Sequence, residues 1–143
     1  MSMMFLSCYG LSSLDISNFD TSQVQSTDRM FEGCRSLVIL KQKFTLEKLI
    51  KCPDMFKNCE KLNSLHLSGL VGEFLAEASN MFYNCNSLTS IDLSNFEGKK
   101  VKDHSIFYNM PLEITLKYNF TKIDSKIKSW FGDYWKLIDV STS

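Results

Sequence analysis

Met81-Phe82-Tyr83-Asn84-Cys85-Asn86-Ser87-Leu88-Thr89-Ser90-Ile91-Asp92-Leu93-Ser94-Asn95-Phe96 decides the reading of this chain, because its pattern recurs on both sides. Met-Phe with Cys three residues on stands at Met4-Phe5 and Cys8, Met30-Phe31 and Cys34, Met55-Phe56 and Cys59, and Met81-Phe82 and Cys85, in steps of 26, 25 and 26 residues. A fifth copy follows 25 residues later as Ile106-Phe107, with Met110 where Cys stood. Counting from each Met, the seventh residue on is Leu11, Leu37, Leu62 and Leu88, and the tenth is Leu14, Leu40, Leu65 and Ile91. The twelfth is Ile16, Leu67 and Leu93, broken once by Gln42; the fifteenth is Phe19, Leu70 and Phe96, with Phe44 one place early; the twentieth is Val24, Ile50, Leu75 and Val101. Self-similarity at this period means a solenoid, in which no copy buries its apolar stripe alone and stacked copies share one core.

The spacings within a copy assign its parts. Val24, Thr27, Phe31, Cys34 and Leu37 are three or four residues apart, which predicts a short helix or tight helical turns. Leu14 and Ile16, like Ile91 and Leu93, alternate with polar neighbours, which predicts a short strand with one buried face. The expected fold is a right-handed α/β solenoid of the leucine-rich-repeat type, each 25–26-residue turn a short parallel strand plus a short helix. The whole of 1–143 reads as one solenoid, with repeats starting near 4, 30, 55, 81 and 106. Ile114-x-Leu116 is expected to be the fifth strand, two residues early relative to Ile91-x-Leu93. Trp130 to Ser141 reads as a degenerate closing turn, with Ile138-Asp139-Val140 as its strand. One amphipathic tail helix through Ile123, Ile127, Trp130 and Tyr134 fits the spacing too, although Gly132 disfavours it. The first copy starts three residues after Met1 without a polar cap, leaving an N-terminal edge open to self-association.

Composition narrows the function classes. Sixteen Lys plus Arg balance sixteen Asp plus Glu, so no global field favours nucleic acid. The charge is divided, however: residues 1–98 hold 8 basic and 11 acidic side chains, and residues 99–143 hold 8 and 5. No apolar run approaches the roughly eighteen residues of a membrane span, so no membrane insertion is expected. The N-terminal segment lacks the basic and apolar regions of a secretory signal.

The repeat M-F-x-x-C-x-S-L-x-x-L-D-L-S-N-F-D-T-S-x-V resembles the 26-residue repeat of bacterial surface proteins, a branch of the BspA-like leucine-rich repeats seen in adhesins and lipoproteins of mycoplasmas and other low-GC bacteria. The match is closest in Leu14-Asp15-Ile16-Ser17-Asn18-Phe19-Asp20-Thr21-Ser22-Gln23-Val24 and in the stretch quoted first. It departs where Thr27, Pro53, Ala78 and His104 replace a Met that usually precedes the next copy, and where Glu97-Gly98-Lys99-Lys100 replaces the F-D-T-S turn. The resemblance implies cell-surface display, adhesion and binding of a protein ligand, such as a host or cell-surface protein, and no enzymatic activity. With no signal in this chain, surface or secreted display requires a longer precursor; an intracellular, cytoplasmic scaffold or effector is the alternative.

The chemistry-bearing residues fit that picture. Cys8, Cys34, Cys59 and Cys85 share one core-facing position and read as a structural ladder of thiols; Met110 at the same position argues against disulfides between neighbours. Cys52, Cys59 and His66 match no common zinc spacing, so no metal is expected, and no cofactor. Phe5-Leu6-Ser7-Cys8 only faintly suggests a lipidation box, and Asn119-Phe120-Thr121 is a glycosylation acceptor only in a secretory pathway. The two His, at 66 and 104, form no catalytic constellation. The candidate partner-binding surface is the solvent face of the sheet, in three rows: Ser13, Ile39, Ser64 and Ser90; Asp15, Lys41, His66 and Asp92; Ser17, Lys43, Ser68 and Ser94. Such rows line the binding face of leucine-rich horseshoes, although small polar residues also serve simply to solvate a sheet.

Overall fold

The chain forms a parallel β-solenoid of about five turns, in a computed structural model that describes residues 1–133 and 135–141, with His104 described by its backbone alone. Tyr134, assigned above to the closing turn, lies outside the described residues, as do Thr142 and Ser143. Each coil contributes one short strand: β1 (Ser13–Asp15), β2 (Ile39–Lys41), β3 (Ser64–His66), β4 (Ser90–Leu93), β5 (Thr115–Tyr118) and β6 (Lys136–Asp139). All pairings are parallel, and they make two sheets, β1-β2 and β3-β4-β5-β6. Leu14 aligns with Leu40, and Leu65 with Ile91, Leu116 and Leu137.

The helix expected in every coil is a correction. Among the described residues the helical elements are a single α-helix, α1 (Ser125–Lys128), and a 3-10 turn at His104–Phe107. The segments around Met-Phe-x-x-Cys are stacked turns instead. Arg29 and Gly33 have φ of 51° and 74°, Asp54 and Asn58 of 54° and 60°, and Asn80 and Asn84 of 51° and 59°. A residue in the left-handed region every fourth position interrupts a right-handed helix. Backbone N–H groups then alternate in use. Met30 and Cys34 donate to Thr27 and Phe31 at 3.1 Å within the coil, whereas Phe31 and Gly33 donate to Met55 at 2.9 Å and Lys57 at 2.8 Å in the next. A chain of turns thus points Thr27, Phe31, Cys34 and Leu37 inward with helix-like spacing while half its donors bind the neighbouring coil.

Those inward residues build the core. Phe5, Phe31, Phe56, Phe82 and Phe107 stack with ring centroids 5.3, 5.4, 6.1 and 6.1 Å apart. Each ring contributes its burial, about 1.5–3 kcal/mol, and each stacked pair about 0.5–1.5 kcal/mol more. The column ends on Phe131 and Trp135, which meet Phe107 edge-on at 5.5–5.8 Å. These rings change direction there and close that end of the column.

Register corrects three further expectations. The fifth strand pairs Leu116 with Ile91 and Tyr118 with Leu93, so Phe107 to Leu116 keeps the full spacing of Phe82 to Ile91 and nothing is shortened. The sixth strand sets Leu137, rather than Ile138, in the Leu116 row. In the second coil Leu49 is buried and Ile50 is 45% exposed, because that coil lacks one residue ahead of Phe44 and its later positions move up by one. Phe19, expected in the core, is 41% exposed.

Candidate functional site

The two sheets mark the place where the solenoid departs from its own rule. The β1-β2 ladder continues past its strands through a hydrogen bond from Ile16 N to Lys41 O at 2.9 Å, and the β3-β4 ladder through one from Leu67 N to Asp92 O at 2.8 Å. Between β2 and β3 no backbone hydrogen bond joins residues 34–45 to the third coil, among the described residues. Pairing resumes at Leu46 N to Gly69 O at 2.9 Å, and on the turn face Gly33 N to Lys57 O still holds the coils together. The seam is therefore confined to the sheet.

Three sequence departures coincide at it. Gln42 replaces the apolar residue that stands as Ile16, Leu67 and Leu93 in neighbouring coils, and one residue is missing between Lys43 and Phe44. Gly69 stands where Asn18 and Asn95 stand in other coils, and a Cβ there would lie 1.4 Å from the Phe44 carbonyl oxygen. The shortened second coil thus runs directly over the third, where only glycine admits it. Gln42 patches the gap: its Nε2 donates to His66 O, while its Oε1 accepts from Phe44 N at 2.9 Å.

The seam opens into a groove of about 760 Å³ bounded by Val38–Lys43 on one wall and Asn63, Ser64 and His66 on the other, continuing past Phe44 and Thr45 toward Ser68 and Gly69. Leu40 is only half-buried there, whereas Leu65, Ile91 and Leu116 in the same row are 0–2% exposed. Val38 and Ile39 are 40% and 54% exposed. The lining holds Lys41, Lys43 and His66 and no carboxylate. Asp15 aligns with Lys41 across β1-β2; hydrogen bonds from Ser17 Oγ at 2.6 Å and Ser17 N at 3.0 Å hold its carboxyl below the usual range, with Lys41 and Lys43 adding to the effect.

All twelve sheet-face residues named from the sequence lie at the surface or half-buried. Ser17, Ile39, Lys41, Lys43, Ser64 and His66 converge on the groove. Ser13 and Asp15 lie alongside on β1, and Ser90 and Asp92 pair with Ser64 and His66 on β4. The rows continue through Thr115, Lys117 and Lys136, which the sequence reading missed because it placed the fifth and sixth strands out of register.

The thiols lie elsewhere. The five cysteines are free, and Cys34, Cys59 and Cys85 donate from Sγ to the carbonyls of Phe5, Phe31 and Phe56 at 3.1–3.2 Å. Burial pushes the Cys34 thiol up to about 11 and that of Cys85 to about 12, with Cys52 and Cys59 raised further, so none of these four is poised as a nucleophile. Cys52 and Cys59 are buried while His66 is exposed, and no group of three or more potential metal ligands converges among the described residues. No helix of the described chain is long and apolar enough to cross a membrane. The acidic cluster of Asp28, Glu32 and Asp54 is paired to Arg29 and Lys57 over 3.2–3.9 Å.

Residues 1–70, which carry the first two coils and the third through Leu70, match the model of a family described as Mycoplasma protein of unknown function, DUF285. The matched segment contains both walls of the seam and Gly69. No curated protein and no solved structure matches the chain.

Proposed function

We propose that the protein is a non-catalytic interaction or adhesion module that binds a protein partner on the sheet face. The observation that carries this reading is the groove at the seam, where Val38, Ile39 and half-buried Leu40 lie beside Lys41, Lys43 and His66. Exposed apolar surface next to the Lys41 and Lys43 ammonium groups suits a protein ligand better than a small substrate. The likeness of the repeat to BspA-like surface arrays supports display on a bacterial surface as part of a longer protein. An intracellular scaffold is the second reading, supported by five unpaired thiols, the state a reducing compartment maintains. Protease shaving of intact cells separates the two readings, since a displayed chain is digested and an intracellular one survives. For the binding reading, a partner captured by the immobilised protein is titrated against wild type and against the Lys41→Ala, His66→Ala double variant. Loss of affinity by tenfold or more is expected; unchanged affinity sinks the proposal.

A further inference from the structure

The seam has a geometry that simple loosening of a repeat would not produce. In β2, Ile39 N donates to Ser12 O and Lys41 O accepts from Ile16 N, so these two residues turn their backbone groups toward β1. Alternation along a parallel ladder then turns the N–H and C=O of Leu40 toward β3. In β3, Leu67 N donates to Asp92 O, which sets Leu65 and Leu67 toward β4 and leaves Ser64 and His66 facing β2. Two strand edges therefore face one another inside one solenoid. His66 O is taken by the Gln42 side chain, and no backbone hydrogen bond reaches Leu40, Ser64 or the His66 N–H from across the gap. A row of open backbone groups is a template for a further strand.

We infer that the seam between β2 and β3 docks an extended segment of a partner protein, in which apolar and acidic residues alternate, through backbone hydrogen bonds to Leu40, Ser64 and His66. The inference rests on the protein-binding reading above and specifies how the partner is held. Period two fits the two environments: alternate side chains of a docked strand point to the core side, where Leu40 is incompletely covered, and to the solvent side, where Lys41, Lys43 and His66 stand. The acidic half is set by charge, since Lys41 and Lys43 line the groove and no carboxylate does. The wall from Val38 to Lys43 is six residues long, about 20 Å at roughly 3.3 Å per residue. The bonds on either side, at Gly33–Lys57 and Leu46–Gly69, and the Phe31–Phe56 stack at 5.4 Å keep the coils joined while the slot is filled.

The probe is a capped, fluorescent heptapeptide alternating valine and glutamate, titrated by anisotropy into the full chain, with amide exchange followed by NMR. Saturable binding is expected, with exchange of the Leu40 and His66 amides slowed at least tenfold. A peptide N-methylated at alternate amides, and one with lysine for glutamate, should bind at least tenfold more weakly. A repaired protein, carrying Gln42→Leu and one asparagine inserted between Lys43 and Phe44, closes the ladder and should lose the peptide while folding at least as stably, with Lys41 and His66 intact. No binding to wild type, or equal binding to the repaired protein, overturns the inference. If a captured partner depends on Lys41 and His66 yet still binds the repaired protein, the docking mode fails and the sheet-face reading stands.

Discussion

Gly69 shows how one residue carries a local rearrangement. Its constraint is steric: the Phe44 carbonyl occupies the place of a side chain. Gly69→Ala must push backbone against backbone and should cost at least about 2 kcal/mol in denaturant unfolding. Gly10→Ala, with open space around the added methyl, should change stability by less than about 0.5 kcal/mol. Equal effects would mean that the second coil is free to move off the third. The ladder thiols make a second prediction at this scale. Their folded pKa lies above the ordinary value of 9.0, at about 11 for Cys34 and about 12 for Cys85. The unfolded chain therefore releases these protons first, and stability, undiminished below pH 9, falls as pH rises toward 11–12. Each thiol contributes on the order of 1 kcal/mol per pH unit in that window. A Cys34→Ala variant should show a shallower alkaline slope than wild type in chemical denaturation between pH 9 and 11, although it is less stable at pH 7.

At the scale of the element, the stack of turns explains which positions tolerate change. Asn58 and Asn84 hold left-handed φ and also pair side chain to side chain at 2.9 Å, and Asn109 continues the ladder onto Asn84. Asn relieves both demands, since its short polar side chain tolerates positive φ and bonds along the column. Asn84→Val adds a β-branched side chain at φ 59° and should cost roughly 2 kcal/mol. Asn84→Gly removes only the side-chain ladder and should cost about 1 kcal/mol; thermal melts that rank them in the opposite order would show that backbone strain is not the controlling factor. The elements also show where sequence reading succeeded and where it failed. Inward positions were legible because burial is written as spacing. The local conformation was not, since stacked turns and a helix both place inward residues three or four apart. Asp54 and Asn80 one place before Met, and Gly33, Asn58 and Asn84 one place before Cys, were the available signal.

For the whole molecule, stability is a sum of contacts between neighbouring coils, and the seam is where the sheet contributes least. Hydrogen exchange should be faster in β2 and β3, whose facing edges are unpaired at the seam, than in β4 and β5, which are paired on both sides. Uniform protection would mean that the six strands unfold as one unit. The groove was half legible from sequence: Gln42 and the early Phe44 were visible as a broken repeat, and Lys41, Lys43 and His66 fell on the exposed face. That these breaks and Gly69 meet at one place depends on which residues lie side by side 26 positions apart. The amino-acid sequence by itself determined the period, the apolar rows and hence the stacking, because a repeated stripe can be buried only against its own copies. Tertiary structure alone decided that the coils turn rather than wind into helices and that the sheet splits between β2 and β3. Both outcomes depend on where each backbone N–H and C=O finds a partner, and those partners belong to the next coil.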